Sequence, residues 1–319
     1  MDVLSQILDS IDMKGHLYFS TEFSAPWSLE VPADGQVCRF HVVIQGACWV
    51  TVSGPGVELG SPTLLRPPTL LSTGDLALVP HGHSHLLQDE PLQPTVDLGT
   101  ALEETAYAGG APFRWGGDGP ITRMVCGYFG FDKEMTHPLL DGLPHLIHVK
   151  STPTIDFGWI EPLTRFISQE AGCGQPGSEI VSKRLSEILF IQAIRHFAAQ
   201  SDEVIPVLSG ITDPQIGRAL RSIHQDPGYP WTLESLARNA ALSRTAFAQK
   251  FTHLVGMTAT DYLTQHRMRC AQGLLRSGSH TAEVADLVGY RSEAAFNRRF
   301  KQHFGIGPGA YRRQKGAAI

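Results

Sequence analysis

Histidines alternate along the segment GDLALVPHGHSH, residues 74 to 85, directly after a short apolar run. If the end of this segment is a β-strand, His83 and His85 lie on one face of it, because successive side chains of a strand point to opposite faces. Histidine is the most frequent protein ligand of transition metals. The segment therefore raises two possibilities, a metal-dependent site and a histidine-rich surface turn.

The composition is that of an ordinary globular protein with room for two domains. The chain has 319 residues, of which 42% are hydrophobic and 18% are charged. It shows neither a basic segment followed by an apolar run nor about 18 consecutive apolar residues, so we expect a cytoplasmic protein without a membrane span. Its five cysteines form no CxxC pair, and we expect them to be reduced thiols.

Charge is divided unequally along the chain. Residues 211–319 carry 15 Lys and Arg against 7 Asp and Glu, a net charge of +8. Residues 1–210 carry 11 against 24, a net charge of −13. This asymmetry predicts that the C-terminal part alone meets a polyanion such as nucleic acid.

Short apolar runs separated by Gly and Pro fill the first 150 residues and predict an all-β sandwich or barrel. Gln45 and Gly46 predict a tight hairpin between RFHVVI and ACWVTV. From residue 157 the apolar spacing changes to three and four, which predicts an amphipathic helix pair over 157–200. The segment 201–213 contains Pro, Gly and acidic residues and predicts a linker.

One apolar stripe of the second predicted helix has two interpretations. The stripe packs in the core, as most such stripes do, or it forms the seam of a homodimer. Its residues are Ile180, Leu185, Ile188, Leu189, Ala193 and Phe197.

The C-terminal part contains one unit twice. The segments LARNAALSRTAFAQKFTHLVG, from Leu236, and VADLVGYRSEAAFNRRFKQHFG, from Val284, share a short helix, a turn, a serine helix start and the pattern Phe-x3-Phe. An apolar pair at that spacing fixes one face of a helix against its neighbour and leaves the opposite face outside. In a helix-turn-helix that outer face enters the major groove of DNA.

The outer positions carry side chains suited to DNA. Arg and Gln make bidentate contacts with guanine and adenine, and Glu accepts from cytosine. Arg299 and Lys301 are better suited to phosphates. The predicted DNA-binding residues are Arg244, Thr245, Ala248 and Gln249 in the first unit and Glu293, Ala294, Asn297, Arg298, Arg299 and Lys301 in the second.

From Pro214 to Arg313 the chain resembles the AraC/XylS family of bacterial transcription regulators, most specifically in GYRSEAAFNRRFKQHFGIGPGAYRR. The resemblance implies a DNA-binding domain over 214–319 in which a long helix joins two helix-turn-helix units. Their recognition helices would enter successive major grooves of double-stranded promoter DNA, about 34 Å apart. RNA polymerase is the further partner that it implies. Ala248 and Ala294 are shorter than the polar side chains of several relatives.

The spacing Gly74-x5-Pro80-x-Gly82-x2-His85 is similar to the second motif of the cupin barrel, in which the last histidine points inward. The HxH and Glu of the first cupin motif are missing. His41 stands on the strand where that motif would end, and Cys126 on a late strand that closes the barrel. The resemblance implies a cupin-like sensor domain over 1–200, with His41, His85 and Cys126 converging inside it. In the register of the hairpin predicted at Gln45 and Gly46, Cys48 shares a face with His41.

Three occupants of that interior stay open. Two imidazoles and a thiolate suit zinc or another divalent metal, with His83 or water as a fourth ligand. An apolar pocket for a small molecule and a redox switch at Cys126 and Cys48 are the others.

We therefore expect a multidomain α+β protein. It consists of a cupin-like β-barrel, a helix pair and an all-α DNA-binding domain, and it acts as a transcription regulator and not as an enzyme. A cupin metalloenzyme with a helical appendix is the competing interpretation. The choice between activator and repressor stays open.

Overall fold

The computed structural model describes residues 2–11, 13–35, 37–54, 67–109, 111–131, 137–151, 159–173, 175–200 and 205–316. The chain divides into two compact units. The β unit comprises Asp12–Lys133 and Leu143–Ser201, and the helical unit comprises Met1–Ile11, Glu134–Gly142 and Asp202–Ile319. Two segments distant from the C-terminal domain in sequence therefore belong to the helical unit, which the sequence patterns did not indicate.

Within the described residues, the β unit contains two sheets. Their strands are β1 Lys14–Ser24, β2 Ser28–Val31, β3 Val37–Gln45, β4 Ala47–Val52, β5 Thr69–Ser72, β6 Leu76–Val79, β7 His85–Gln88, β8 Val96–Asp97, β9 Phe113–Gly116, β10 Ile121–Gly130 and β11 Ile147–Val149. One has six strands in the order β11-β6-β3-β10-β1-β9, and the other has five in the order β5-β4-β7-β2-β8. A shared apolar core draws residues from both sheets. The predicted cupin-like β fold is confirmed.

The predicted hairpin at Gln45 and Gly46 is wrong. β3 pairs with β10 and β6, whereas β4 pairs with β5 and β7, so the chain passes from one sheet to the other at Gly46. Gly46 has φ +84°, and a Cβ there would lie 3.0 Å from the carbonyl oxygen of Ile121. The glycine thus serves a crowded corner with left-handed backbone, and the turn residue alone does not encode which strands pair.

The predicted helix pair is present as α4, Ile160–Cys173, and α5, Ser178–Gln200. Its stripe divides between core and surface. Leu189 and Ala193 are buried, whereas Ile180 and Ile188 are 52% and 45% exposed. A helix of this length presents several faces, and spacing alone did not separate the buried face from the exposed one.

The helical unit consists of ten short and medium helices among the residues that the structure describes. They are α1 Val3–Ser10, α3 Pro138–Asp141, α6 Leu208–Thr212, α7 Ile216–Gln225, α8 Leu233–Asn239, α9 Arg244–Val255, α10 Ala259–Arg276, α11 Thr281–Leu287, α12 Glu293–Phe304 and α13 Pro308–Gly316. The remaining helix, α2 Leu98–Glu104, lies in the β unit. Across the described ranges, no helix is long and apolar enough to cross a membrane.

The predicted linker differs from the structure where it is described. Its residues 201–204 lie outside the described residues. Ile205, Val207 and Leu208 are buried, and α6 packs against α7 and α9. Pro206 and Gly210 are therefore part of a packed turn and helix, because a proline or glycine marks a break in regular structure but not solvent exposure.

Candidate functional site

Each repeat folds as two helices joined by a left-handed turn. Ala241 has φ 55° between α8 and α9, and Gly289 has φ 78° between α11 and α12. The hydroxyls of Ser243 and Ser292 accept hydrogen bonds from the backbone N–H groups of Ala246 and Ala295, 3.2 Å away in both cases. The serines are the N-caps of the second helices, as the sequence predicts.

The paired phenylalanines anchor these second helices. Phe247, Phe251, Phe296 and Phe300 have no exposed surface. The ring centroids of the first pair lie 5.5 Å apart and those of the second 5.6 Å. Burial of one helical face in this way leaves the opposite face of α9 and of α12 open to solvent.

The predicted DNA-binding residues differ in how far they reach outward. Ala248 and Asn297 are half-buried, and the Oδ1 atom of Asn297 is buried without a hydrogen-bond partner among the described residues. Arg299 donates to the Oε1 atom of Gln302 at 3.1 Å, so it is held along its own helix. The other predicted residues are exposed: Arg244, Thr245, Gln249, Glu293, Ala294, Arg298, Arg299 and Lys301.

Inside the β unit, His41, His85 and Cys126 lie together, as the sequence predicts. Cys126 stands opposite His41 in the register of β10 and β3, and His85 begins β7 in the other sheet. The Nδ1 atom of His41 lies 3.2 Å from the Sγ atom of Cys126, and its Nε2 atom lies 2.8 Å from the Nε2 atom of His85. The bond between the two histidines thus joins one sheet to the other.

The hydrogen bonds of this cluster have one consistent direction. The Nδ1 atom of His85 lies 2.9 Å from the carbonyl oxygen of His83, which only accepts, so Nδ1 carries the proton. The Nε2 atom of His85 then accepts from His41, and the Nδ1 atom of His41 accepts from the thiol of Cys126. We call this chain of bonds, Cys126 to His41 to His85 to the carbonyl of His83, the thiol–histidine chain.

Burial keeps every member of the thiol–histidine chain uncharged. It lowers the pKa of His85 to about 4 and, together with the neighbouring His85 and Arg39, it lowers the pKa of His41 well below its usual range. Burial raises the pKa of the Cys126 thiol and raises that of Cys48 to about 12. Thiols are therefore protonated here, which slows any reaction that needs a thiolate.

The donors of the cluster do not face one point. His41 turns its two ring nitrogens in opposite directions, one toward Cys126 and one toward His85. A zinc ion needs its donors about 2.0–2.3 Å from one center, so this set does not fit zinc unless the His41 ring turns. Among the described residues no group of three or more His, Cys, Asp and Glu side chains is placed to hold a metal ion.

The cavity beside the thiol–histidine chain is small. A cavity of about 20 Å³ is lined by Cys126, His41, Thr21, Arg39 and apolar side chains of both sheets. This volume corresponds to about one water molecule. Arg39 was missed by the sequence analysis, although it precedes His41 by two residues on one strand and therefore shares its face.

His83 lies apart from this interior. Its Nε2 atom lies 3.1 Å from the Nδ1 atom of His145, and the ring centroids of His81, His83 and His145 are 5.0–5.7 Å apart. The structure thus places His83 in a surface cluster, and only its backbone carbonyl belongs to the thiol–histidine chain. Cys48 is buried in the core that also contains Cys126.

The chain matches two family models, one described as cupin over residues 2–199 and one described as helix-turn-helix domain over residues 236–314. A protein of Streptomyces antibioticus described as an AraC-like transcription regulator is 32% identical over 98% of this chain and 99% of its own length. The chain belongs to the AraC-like transcription regulators. The predicted DNA-binding regulator with a cupin-type domain is confirmed.

Other relatives of this AraC-like regulator are similar over the whole chain. The HTH-type transcriptional regulator AlkR of Acinetobacter baylyi is 29% identical over 98% of this chain and 100% of its own. The RCS-specific HTH-type transcriptional activator RclR of Escherichia coli is 27% identical over 98% and 97%. Among solved structures, the DNA-binding domain of AdpA in complex with a target DNA is 30% identical over 34% of this chain and 96% of that one, with a TM-score of 0.32.

Proposed function

We propose that this regulator activates transcription, as a homodimer on double-stranded promoter DNA beside RNA polymerase, in response to a change at the thiol–histidine chain. The observation that carries DNA reading is the pair of serine-capped helices, α9 and α12, each of which buries a phenylalanine pair and exposes polar side chains on the other face. Activation is supported by the relative RclR, which is named an activator. The proposal assigns the protein no catalytic reaction.

Replacement of Arg298 by Ala is expected to weaken binding to the cognate operator by about 1–3 kcal/mol and to relax one base position, because an exposed arginine on α12 reads a guanine edge. Lys301→Ala is the matched control on the same helix. It should weaken all sequences alike and reduce the salt slope by about 1, as expected of a phosphate contact.

Gel-shift titrations of the full chain on a selected operator and on random DNA, at several salt concentrations, measure both effects. Equal losses on operator and random DNA for Arg298→Ala would remove its base-reading role. Binding that does not change with salt would contradict the polyanion contact as a whole.

The thiol–histidine chain is proposed as the receiver of the signal. A cavity of about 20 Å³ excludes an organic effector of ordinary size but admits a water-sized molecule next to Cys126. Hydrogen peroxide would oxidise the Cys126 thiol to a sulfenic acid and be reduced to water, slowly because the thiol is protonated. Condensation of the sulfenic acid with the Cys48 thiol would then form a disulfide and release a second water. Either product removes the S–H group that donates to His41. The hydrogen bond between His41 and His85, which joins the two sheets, would then change.

Cys126→Ser is expected to abolish the transcriptional response to peroxide, because serine keeps a donor for His41 but cannot be oxidised. Cys38→Ser is the control, since Cys38 is buried on the same strand as His41 and is separated from it by an odd number of positions. Promoter output with and without oxidant measures the response, and metal analysis of both proteins measures the alternative. Zinc that is bound by the wild type and lost in Cys126→Ser would replace the redox proposal with a metal site.

Dimerisation is proposed through the outer face of α4 and α5. Phe166 and Ile188 are 57% and 45% exposed there. An apolar groove of about 320 Å³ lies between the helices, lined by Trp159, Pro162, Leu163, Phe166, Leu185, Ile188 and Gln192. Exposed apolar residues in one contiguous patch are typical of a protein interface.

Ile188→Asp is expected to yield a folded monomer with at least tenfold weaker operator binding, because a carboxylate cannot be buried unpaired in an apolar seam. Ala199→Asp adds the same charge at an exposed position of the same helix and should leave the assembly unchanged. Sedimentation velocity measures the assembly. A dimer of undiminished stability in Ile188→Asp would place the interface elsewhere.

A further inference from the structure

Arg267 lies in the middle of α10, the helix that joins the two helix-turn-helix units. Its Nε group donates to the carbonyl oxygen of Pro227 at 2.7 Å, and one Nη group donates to the carbonyl oxygen of Tyr229 at 2.8 Å. Both carbonyls belong to the loop between α7 and α8. The guanidinium thus fastens the linking helix to the segment that leads into the first helix-turn-helix.

The same guanidinium also adjoins the turn of the second unit. Gly289, between α11 and α12, has φ +78°, and a Cβ built on it would lie 2.7 Å from an Nη atom of Arg267 and 2.5 Å from the carbonyl oxygen of Gly228. A Cβ on Gly228 would lie 2.7 Å from the carbonyl oxygen of Leu287. The two backbones meet where only glycine leaves enough space.

The loop that receives Arg267 is itself ordered by hydrogen bonds. The backbone N–H of Tyr229 donates to the Oδ1 atom of Asp226 at 3.0 Å, and the indole N–H of Trp231 donates to the carbonyl oxygen of Asp226 at 2.8 Å. This ordered loop meets the glycine turn at Gly289. The two helix-turn-helix units therefore have little freedom to move relative to each other at this point.

We infer that Arg267, with Gly228 and Gly289, forms a clasp that sets the distance and rotation between α9 and α12, and so makes the regulator specific for the spacing of the two segments that it reads on DNA. Arg267 is in this sense a positioning residue. Its guanidinium is occupied by two carbonyls of the protein and half-buried, which is the arrangement of a structural bridge and not of a phosphate contact. The inference rests on the DNA-binding function.

The spacing of the operator is the quantity that such a clasp controls. One inserted base pair moves the two recognition segments apart by about 3.4 Å and rotates them by about 35°. A rigid pair of helices loses contact with one segment after this change, whereas a loosely joined pair follows it. The expected result is that the wild type loses at least tenfold in affinity when one base pair is inserted.

Arg267→Ala should bind the original operator about tenfold more weakly and lose less than threefold on insertion. Arg267→Lys keeps the charge but cannot bridge two carbonyls with a planar fork, and it should behave in the same way in a protein of nearly unchanged fold. Arg218→Ala is the matched control. Arg218 also donates to two backbone carbonyls, those of Asn239 and Ala240, but both lie at the end of α8 and neither belongs to the second helix-turn-helix.

The experiment uses the full chain and an operator selected by it from random DNA, with variants of the operator that carry one or two inserted or deleted base pairs. Circular dichroism confirms that each protein is folded. The inference is overturned if Arg267→Lys and Arg267→Ala retain the insertion penalty of the wild type and of Arg218→Ala, or if the wild type itself tolerates the insertion. Failure to enrich any DNA sequence would instead overturn the DNA-binding function, so the two failures are distinguishable.

Discussion

Lowering the pH from 7 to 5 is expected to reduce the free energy of unfolding of the helical unit by about 4 kcal/mol, because one buried and two half-buried histidines stay uncharged there while the unfolded chain takes up protons. They are His137, which caps α3, His224 on α7 and His266 on α10. The rings of His224 and His266 have centroids 4.0 Å apart. Three titratable rings from three elements thus share one interior.

The direction of this effect follows from the cause of the pKa shifts. Burial lowers the pKa of His224 to about 4, and burial lowers those of His137 and His266 well below the usual range, helped by the positive charge of Arg269. A lowered pKa in the folded state means that the unfolded state binds more protons below pH 6.5. The contribution of these histidines to the free energy of unfolding is therefore fully present above that pH, and it is lost progressively as the pH falls toward 4.

The groups around these three rings do not offset the loss of stability at acidic pH. Each histidine that must stay neutral contributes about 1–2 kcal/mol to the loss between pH 7 and 5. The titratable and charged groups near the three rings are Asp141 from α3 and Tyr262, Arg267, Arg269 and Cys270 from α10. The carboxylates with lowered pKa values, such as Asp213, add to the loss only at lower pH.

Denaturant unfolding of the full chain at pH 7, 6 and 5, followed by far-ultraviolet circular dichroism, measures the effect. His266→Gln should reduce the loss between pH 7 and 5 by about 1–2 kcal/mol, because one proton-linked group is removed. His253→Gln is the control, since His253 is exposed on α9. Parallel curves of unfolding free energy against pH for the wild type and His266→Gln would contradict the assignment.

Local features of this regulator were predictable from sequence, and distant pairings were not. Serine caps, the turn between the two helices of each repeat and the spacing of the phenylalanines are encoded within a few residues and are confirmed. The convergence of His41 and Cys126 was predictable because each stands on a strand of a fold that the sequence resembled. That similarity supplied the partner strands, which no local pattern encodes.

The clasp at Arg267 and the histidines of the helical unit show the other case. The carbonyls that receive Arg267 come from residues about 40 positions earlier, and a basic residue within a helix carries no signal that it is half-buried. His137 is more than 80 positions from His224 in the chain, so only the folded unit brings them together. The same reason explains the error at Gly46, where the turn was recognised and the strand partners were not.

The second large effect is expected at the core of the second helix-turn-helix. Phe300→Ala should lower the free energy of unfolding by about 3–5 kcal/mol, because it leaves a cavity among aromatic rings that cannot collapse to fill it. The centroid of Phe300 lies 5.6 Å from that of Phe296, 4.5 Å from that of Phe304 and 5.7 Å from that of Tyr311. Phe300 also shares a core with Val284 and Ala285 of α11, so removal of its ring affects the packing of α12 against both α11 and α13.

Leu287→Ala is the control for this substitution, because Leu287 is an apolar residue of α11 that is 51% exposed, and its truncation should change stability by about 0.5 kcal/mol or less. Denaturant unfolding and operator titration of the same proteins measure both consequences. Since α12 carries Arg298 on the face opposite to Phe300, the cavity variant should lose operator binding at temperatures at which the β unit is still folded. A loss of less than 1 kcal/mol would mean that the Phe-x3-Phe pair does not anchor the recognition helix, and the repeat would then lose its structural basis.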